Sequence, residues 1–311
     1  MKEILFLNPV FKEMVWGGSR LREFGYAIPS DSTGECWAIS AHPNGDGTVV
    51  SGRFAGCRLS ELWQEHRELF GSLKGDRFPL LVKIIDAKGD LSIQVHPDDA
   101  YAMEHENGSY GKTECWYILD CDPDATIVIG HNAKNSQEVA DMIRQERWSE
   151  FIREIPVKKG DFFQINPGCV HAIKGGTMIL ETQQNSDITY RVYDYGRLQN
   201  GKPRQLHVEQ SIAVIRAPYV AEAAEQRTVT AVGDASVEHL VTCPYYSVEK
   251  ITLDGTARFV QDKPFLNVSV YEGEGVLDGT PVRKGDHFIL PADYGEFTLE
   301  GNLSLIVSSV E

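Results

Sequence analysis

Short apolar runs, many of them rich in β-branched and aromatic residues, follow one another along most of the chain. Gly, Pro, Asn and Asp, which favour turns, separate these runs. The runs occupy residues 47–52, 79–87, 91–97, 115–120, 125–130, 161–167, 177–183, 188–196, 265–273 and 287–292. This pattern predicts a mainly β protein built as a barrel or a sandwich.

Helical periodicity is confined to three segments. Ser60 can cap a helix that Gly71 ends, and further helices are predicted between Asn135 and Glu154 and from Pro203 to Ile215. We expect them to be insertions on a β core.

Periodicity weakens between residues 217 and 238 and β-type runs then resume, which predicts one domain over 1–238 and a second over 239–311. The segment VRKGDHFILPADYGEF in the second part echoes KKGDFFQINPGCVHAI in the first. The second copy has no histidine where the first has His171, so we expect the C-terminal domain to lack metal ligands.

The charge balance restricts the partners. The formal net charge is -15, so we expect no general attraction to nucleic acid or to an anionic membrane. The N-terminal apolar stretch is short and interrupted, with no cleavage site after it, and the six cysteines form no CxxC pair. These features predict a cytoplasmic protein with reduced thiols.

Four side chains suggest a metal site. Gln94 and His96 are two residues apart in a strand and so share a face, and Glu114 is in phase with Trp116. His171 follows a Pro-Gly turn that could aim its imidazole into a barrel mouth. Two nitrogens and two oxygens suit zinc or another borderline divalent ion, although each residue alone has an ordinary structural explanation.

The segments that carry these residues resemble a known family. Gly160, Asp161, Pro167, Gly168 and His171 match the second signature of cupin barrels. PLLVKIIDAKGDLSIQVHPDD, KTECWYIL, NPGCVHAI and LETQQNSDITYRVYDYGR resemble type I phosphomannose isomerases in their short bacterial form. The resemblance implies two cupin-like jelly-roll barrels, the second degenerate, and conversion of mannose 6-phosphate to fructose 6-phosphate through an enediol(ate).

The resemblance also implies roles for individual residues. One zinc ion per chain would be held by Gln94, His96, Glu114 and His171, and the catalytic residues would be Arg191, Lys112 and Glu181. Longer members carry a tyrosine two residues after the second histidine, where this chain has Ile173.

Isomerisation moves a proton between C1 and C2 and needs a base and cationic stabilisation of an oxyanion. Glu181 is our candidate base, with a metal-bound water as the alternative. The small-molecule sugar phosphate would be held by side chains, because the sequence has no Gly-rich phosphate loop. The candidates for substrate binding are Lys83, Ser92, Lys174 and Trp16, and we expect a monomer or a homodimer.

Two other readings stay open at the level of sequence. His96, Glu114 and His171 could form the facial triad of an iron oxygenase, or the site could serve a different sugar-phosphate isomerase. The barrel could also be a sugar-binding or regulatory module without turnover. Bound iron with oxygen uptake, or binding without turnover, would distinguish these from an isomerase.

Overall fold

The computed structural model describes residues 2–199, 201–221 and 227–311, and β-strands dominate this part of the chain. The prediction of a mainly β protein is therefore confirmed. The strands are β1 (Leu5–Asn8), β2 (Val10–Gly18), β3 (Thr33–Ile39), β4 (Ala41–His42), β5 (Gly45–Asp46), β6 (Thr48–Val49), β7 (Leu80–Ala87), β8 (Ile93–Val95), β9 (Glu114–Cys121), β10 (Thr126–His131), β11 (Ile152–Pro156), β12 (Phe162–Ile165), β13 (His171–Ile173), β14 (Thr177–Gln184), β15 (Tyr190–Tyr193), β16 (Leu198–Gln199), β17 (Lys202–Pro203), β18 (Val229–Val232), β19 (Ala235–Thr242), β20 (Ser247–Gln261), β21 (Phe265–Leu277), β22 (Thr280–Arg283), β23 (His287–Pro291) and β24 (Gly295–Ser309).

Short helices decorate these strands. They are α1 (Leu59–Glu65), α2 (Asp99–His105), α3 (Ser136–Arg144), α4 (Trp148–Phe151) and α5 (Val208–Val214), with 3-10 turns at Arg20–Phe24, Gly52–Phe54 and Arg67–Phe70. The prediction of Ser60 as a helix cap is wrong, because the helix begins at Leu59 and the Ser60 amide donates to Asp46. None of the helices in the described residues has both the length and the apolar character needed to cross a bilayer.

Two antiparallel sheets face each other in the first part of the chain. One has the order β12-β9-β14-β7-β2-β3 and the other the order β11-β10-β13-β8-β15. Their inner faces share one apolar cluster, which includes Ile85 and Trp116 from the first sheet and Ile127 and Ile173 from the second. This enclosed interior holds the buried side chains of His96, Glu114 and His171.

The outer faces of both sheets are covered as well. The five-stranded sheet packs its outer side against α3, α4 and α5 through residues such as Val139 and Phe151. The six-stranded sheet packs its outer side against the C-terminal strands, in a core that contains the free thiols Cys36 and Cys115. Both sheets are thus buried on two sides, which stabilises the interior between them.

A nine-stranded sheet forms the remainder of the molecule, with the order β18-β19-β20-β24-β21-β23-β1-β6 and β22 paired to β21. Strand β1 pairs with β23 through Leu5 and Ile289, so the start of the chain lies beside its end. The division near residue 238 and the two-barrel architecture stay predictions.

The repeated KGD segments have the same local structure. The Asp161 carboxylate accepts a hydrogen bond from the Lys158 amide at 2.9 Å. Asp286 accepts one from the Arg283 amide at 2.8 Å. In each turn the glycine before the aspartate has a positive φ, 88° at Gly160 and 94° at Gly285. The repeat therefore encodes a turn that introduces β12 and β23.

Candidate metal centre and active site

Four of the predicted site residues converge in the barrel interior. The Nε2 atoms of His96 and His171 are 3.1 Å apart, and the Nε2 of Gln94 is 3.2 Å from that of His171. The Glu114 carboxylate lies 3.4 Å from His96 and 3.3 Å from His171. His96, Glu114 and His171 are all buried, and their ligand atoms lie within 4.8 Å of one another.

The strand register explains this convergence. Gln94 on β8 pairs directly with His171 on β13 and, across its other edge, with Arg191 on β15. Paired residues of neighbouring strands place their side chains on the same face, and His96 follows Gln94 by two positions. Glu114 begins β9 on the facing sheet and so approaches from the opposite side.

The protonation states suit metal binding. The Nδ1–H of His171 donates a hydrogen bond to the Cys169 carbonyl at 2.9 Å. This leaves Nε2 as the unprotonated nitrogen that faces the cluster. Burial lowers the pKa of His171, and burial and the Lys112 ammonium lower that of His96 to about 3. Burial alone would raise the pKa of Glu114, but Lys112 and His96 hold it well below its usual value. The ligands are therefore deprotonated at neutral pH, as a metal requires.

An orphaned atom supports the same interpretation. The Oε1 atom of Glu114 is buried without a hydrogen-bond partner among the described residues. A buried carboxylate needs hydrogen bonds, an ion pair or a metal to offset its desolvation. The Lys112 ammonium, at 2.9 Å, supplies one charge to it. The donor set of two imidazoles, a carboxylate and a carboxamide fits zinc or a similar divalent ion.

A second charged group lies beside the cluster. The Lys83 ammonium is 3.1 Å from Glu181 and 3.8 Å from Glu35. The indole of Trp116 donates to the other Glu181 oxygen at 3.1 Å. Burial and the nearby Glu114 charge raise the pKa of Glu181, although Lys83 opposes the shift. The interior therefore holds a carboxylate whose pKa is moved towards neutrality.

Arg191 approaches from the second sheet. Its Nη1 donates to the Gln205 carbonyl at 2.8 Å, while its buried Nε has no hydrogen-bond partner in the described residues. Within that part of the chain no ion pair involves Arg191, because the neighbouring Asp194 accepts bonds from Arg197 and Arg204 instead. The guanidinium thus retains capacity for an anion.

The predicted substrate-binding residues differ in their surroundings. Ser92 is buried beside β8, and Trp16 packs in the apolar cluster between the two sheets. Lys174 lies 2.7 Å from Glu154 and 3.8 Å from Asp90. Lys83 is the only one of these four for which the structure records a contact with a predicted catalytic residue.

Sequence reasoning missed Glu35 and Gln183 near this interior. Glu35 accepts a bond from Trp37 at 2.6 Å and faces Lys83. His42 orders a turn through the Asn44 amide, as its Pro-Asn-Gly context suggests, and its Nε2 is 3.5 Å from Asp187. Gln183 is fully buried on β14. The contact between Glu35 and Lys83 joins two paired strands, β3 and β7, and so leaves no local sequence signal.

A barrel of facing antiparallel sheets with a buried His-Glu-His cluster defines a cupin-type protein with a candidate metal centre. Two family models match the chain: the catalytic domain of type I phosphomannose isomerase over residues 4–114 and the mannose-6-phosphate isomerase cupin domain over residues 236–310. The chain belongs to the type I phosphomannose isomerase family, as the sequence resemblance predicted.

Full-length relatives agree with this assignment. The chain is 54% identical to the mannose-6-phosphate isomerase ManA of Bacillus subtilis, over 98% of each chain. It is 48% identical to the mannose-6-phosphate isomerase of Streptococcus mutans, over 99% of this chain and 98% of that protein. A crystal structure of the mannose 6-phosphate isomerase from Bacillus subtilis superposes with a TM-score of 0.97 at 50% identity, covering 99% of both chains.

Proposed function

We propose that this chain is an aldose-ketose isomerase that interconverts mannose 6-phosphate and fructose 6-phosphate in the interior between its two facing sheets. The observation that carries the proposal is the buried cluster of His96, Glu114 and His171, with Glu181 buried in the same interior and Arg191 paired to Gln94 across neighbouring strands. The relatives from Bacillus subtilis and Streptococcus mutans, 54% and 48% identical to this chain, are named mannose-6-phosphate isomerases.

The metal would be one zinc ion, held by Gln94, His96, Glu114 and His171. A zinc ion bound there would supply Lewis-acid polarisation of a substrate oxygen. Lys112, buried 2.9 Å from Glu114, stabilises the ligand carboxylate in its ionised form. The same ammonium is our candidate donor to the negative charge that develops on the substrate oxygen.

Glu181 is the proposed base for the proton that moves between C1 and C2. A general base works best when its pKa lies near the working pH, and burial beside Glu114 raises the pKa of Glu181 in that direction. Trp116 and Lys83 hold one carboxylate oxygen each and so fix the orientation of the group.

Arg191, whose guanidinium has no carboxylate partner in the described chain, is our candidate both for stabilising the developing oxyanion and for binding the phosphate. Lys83, Ser92, Lys174 and Trp16 are proposed as further substrate contacts. Lys174 would have to exchange its ion pair with Glu154 for the phosphate, while Lys83 would act through Glu181.

We also propose a wider setting for the enzyme. A cytoplasmic location and a monomeric or homodimeric state fit an acidic enzyme of small-molecule metabolism. The chain would divide near residue 238 into a catalytic unit and a C-terminal unit without metal ligands. Its substrate would be a free sugar phosphate rather than a nucleic acid or a membrane lipid.

A coupled assay with mannose 6-phosphate tests the activity. We expect turnover that continues under nitrogen without oxygen uptake. Binding of mannose 6-phosphate without turnover would indicate a binding module, and oxygen consumption with bound iron would indicate an oxygenase.

The Glu181→Gln substitution tests the base. It keeps the Trp116 contact but removes the proton acceptor, so we expect the rate to fall by about 100-fold or more. Solvent deuterium should then no longer enter C2 of the sugar, as followed by NMR. Deuterium exchange as fast as in the wild-type protein would remove Glu181 as the base.

A further inference from the structure

Among the described residues, one buried acceptor atom on β14 has no recorded donor. Gln183 on β14 has an exposed fraction of 0%. Its Oε1 is buried and has no hydrogen-bond partner within the described residues. A buried carbonyl left unpaired costs about 1–3 kcal/mol, so such an atom in a native interior marks a place where a donor is used.

The orientation of this carboxamide is fixed. Its Nε2 donates to the Gln184 carbonyl at 2.7 Å and to the Ser186 carbonyl at 2.6 Å. Both amide hydrogens are therefore used by the turn that follows β14. Because carbonyl oxygens can only accept, the nitrogen must face the turn and the oxygen must face away from it.

Gln183 also stands next to the proposed reaction centre. It pairs directly with Glu114 on β9 and with Leu81 on β7. Paired side chains of neighbouring strands lie on one face with Cβ atoms roughly 5 Å apart, and Glu181 shares that face two positions earlier. Gln183 therefore lies beside Glu114, a predicted metal ligand, and on the same strand face as Glu181, the predicted base.

No cationic side chain of the described residues is recorded against this oxygen. The ammonium of Lys112 contacts Glu114 at 2.9 Å, and that of Lys83 contacts Glu181 at 3.1 Å. Each lysine thus has a carboxylate partner of its own. A neutral oxygen whose neighbouring ammonium groups are directed to carboxylates is suited to a neutral donor, and a sugar hydroxyl is such a donor.

We propose that Gln183 is a specificity-determining residue whose Oε1 accepts a hydrogen bond from the hydroxyl at C3 or C4 of the sugar phosphate. The proposal rests on the isomerase function proposed above. In that reaction O1 and O2 exchange protons, O5 closes the pyranose ring and O6 carries the phosphate. Only O3 and O4 carry a free hydroxyl both in the pyranose ring and in the open chain that reacts, and neither takes part in the proton transfer.

The test compares three proteins on three substrates. The proteins are wild type, Gln183→Met, which keeps a similar volume but removes the oxygen, and Asn185→Ala as the control. Asn185 donates to the Phe78 carbonyl at 2.8 Å, so its loss loosens the same turn without changing the buried acceptor. The substrates are mannose 6-phosphate and its 3-deoxy and 4-deoxy derivatives, compared by kcat/KM.

We expect Gln183→Met to lower kcat/KM for mannose 6-phosphate by about tenfold or more. For one deoxy derivative the loss should be about tenfold smaller, because the partner hydroxyl is already absent. Asn185→Ala should lower kcat/KM by the same factor on all three substrates. Equal losses for Gln183→Met on all three substrates would overturn the proposal.

The wild-type protein supplies an independent measurement if Gln183→Met does not fold. A defect of about tenfold or more on one deoxy derivative supports the hydrogen bond. Turnover of both derivatives as fast as mannose 6-phosphate would refute it while leaving the isomerase function intact. Absence of wild-type turnover on mannose 6-phosphate would instead remove the proposed function and this inference together.

Discussion

At the scale of single residues, the barrel interior has an uneven balance of buried charge. Glu35, Glu114 and Glu181 contribute three carboxyl groups, while Lys83 and Lys112 contribute two ammonium groups, and none of the five is more than 9% exposed. Buried charge is tolerated only when it is compensated. A divalent cation at the His-Glu-His cluster would supply the missing positive charge.

Replacing Glu114 with Gln tests that balance. The change keeps the shape of the side chain but removes one of the proposed ligands, so we expect zinc affinity to fall by at least about 100-fold. Equilibrium dialysis with elemental analysis measures it. Glu35→Gln is the matched control, since Glu35 contacts Lys83 and Trp37 rather than the cluster, and it should keep its metal. Equal zinc affinity in both variants would argue against Glu114 as a ligand.

The sequence identifies ligand types better than it identifies their neighbours. Gln94 and His96 share a face because strands alternate, which is a local rule. Their approach to Glu114 depends on two sheets folding over each other, and only the family resemblance made it predictable. Asp187 and Gln183 gave no signal, because their neighbours, His42 and Glu114, lie more than 60 positions away along the chain.

At the scale of elements, strands β2 and β3 approach each other unusually closely beside the interior. A Cβ atom placed on Gly34 would lie 2.6 Å from the ring of Trp16 and 2.8 Å from Met14. Trp16 is itself buried in the apolar cluster and has little room to move. The glycine is therefore a packing requirement of this strand pair.

Gly34→Ala should destabilise the protein by about 2 kcal/mol, as expected for overpacking in a tight core. Urea unfolding measures the loss as a lower midpoint. Gly89→Ala is the matched control, since its added Cβ would lie 3.8 Å from the Trp16 backbone, an ordinary contact distance. Similar midpoints for the two variants would show that Trp16 is not held against Gly34.

Helices were predicted less accurately than strands. Three helical segments were expected, but α2 at Asp99–His105 was missed. It has an aspartate cap, Asp98, whose side chain accepts from the Tyr101 amide at 3.0 Å. Its sequence has only one buried residue, Ala102, so the apolar periodicity that marks an amphipathic helix is absent.

At the scale of the whole molecule, one buried histidine joins distant parts of the chain. His287 on β23 is 2.6 Å from the hydroxyl of Tyr26 and 2.9 Å from that of Ser269. Together with the pairing of β1 and β23, this contact ties the N-terminal segment to the C-terminal sheet. The N-terminal segment of the first predicted domain therefore packs into the sheet of the second.

Burial lowers the pKa of His287 to about 3, below the value of about 6.5 for an unfolded histidine. Between these values the unfolded chain binds a proton that the folded chain does not, so stability falls as the pH drops below about 6.5. We expect His287 to contribute a loss of about 2 kcal/mol between pH 7.5 and pH 5.

Denaturant unfolding over this pH range measures that loss. His287→Gln keeps a polar side chain that cannot gain the proton, so its stability should decline less steeply on acidification. The difference in unfolding free energy between the two proteins should narrow by about 2 kcal/mol towards pH 5. If the unfolding free energies of the variant and the wild type fell equally from pH 7.5 to pH 5, His287 would not be the source of the loss.

Turnover of fructose 6-phosphate as a function of bound metal tests the central claim most directly. A chelator removes the bound metal under conditions in which circular dichroism shows that the protein stays folded. Zinc is then added back in steps. The account predicts that activity disappears with the metal and returns in proportion to it, reaching its maximum at one ion per chain. Full activity in folded, metal-free protein would contradict the convergence of Gln94, His96, Glu114 and His171 on a catalytic ion.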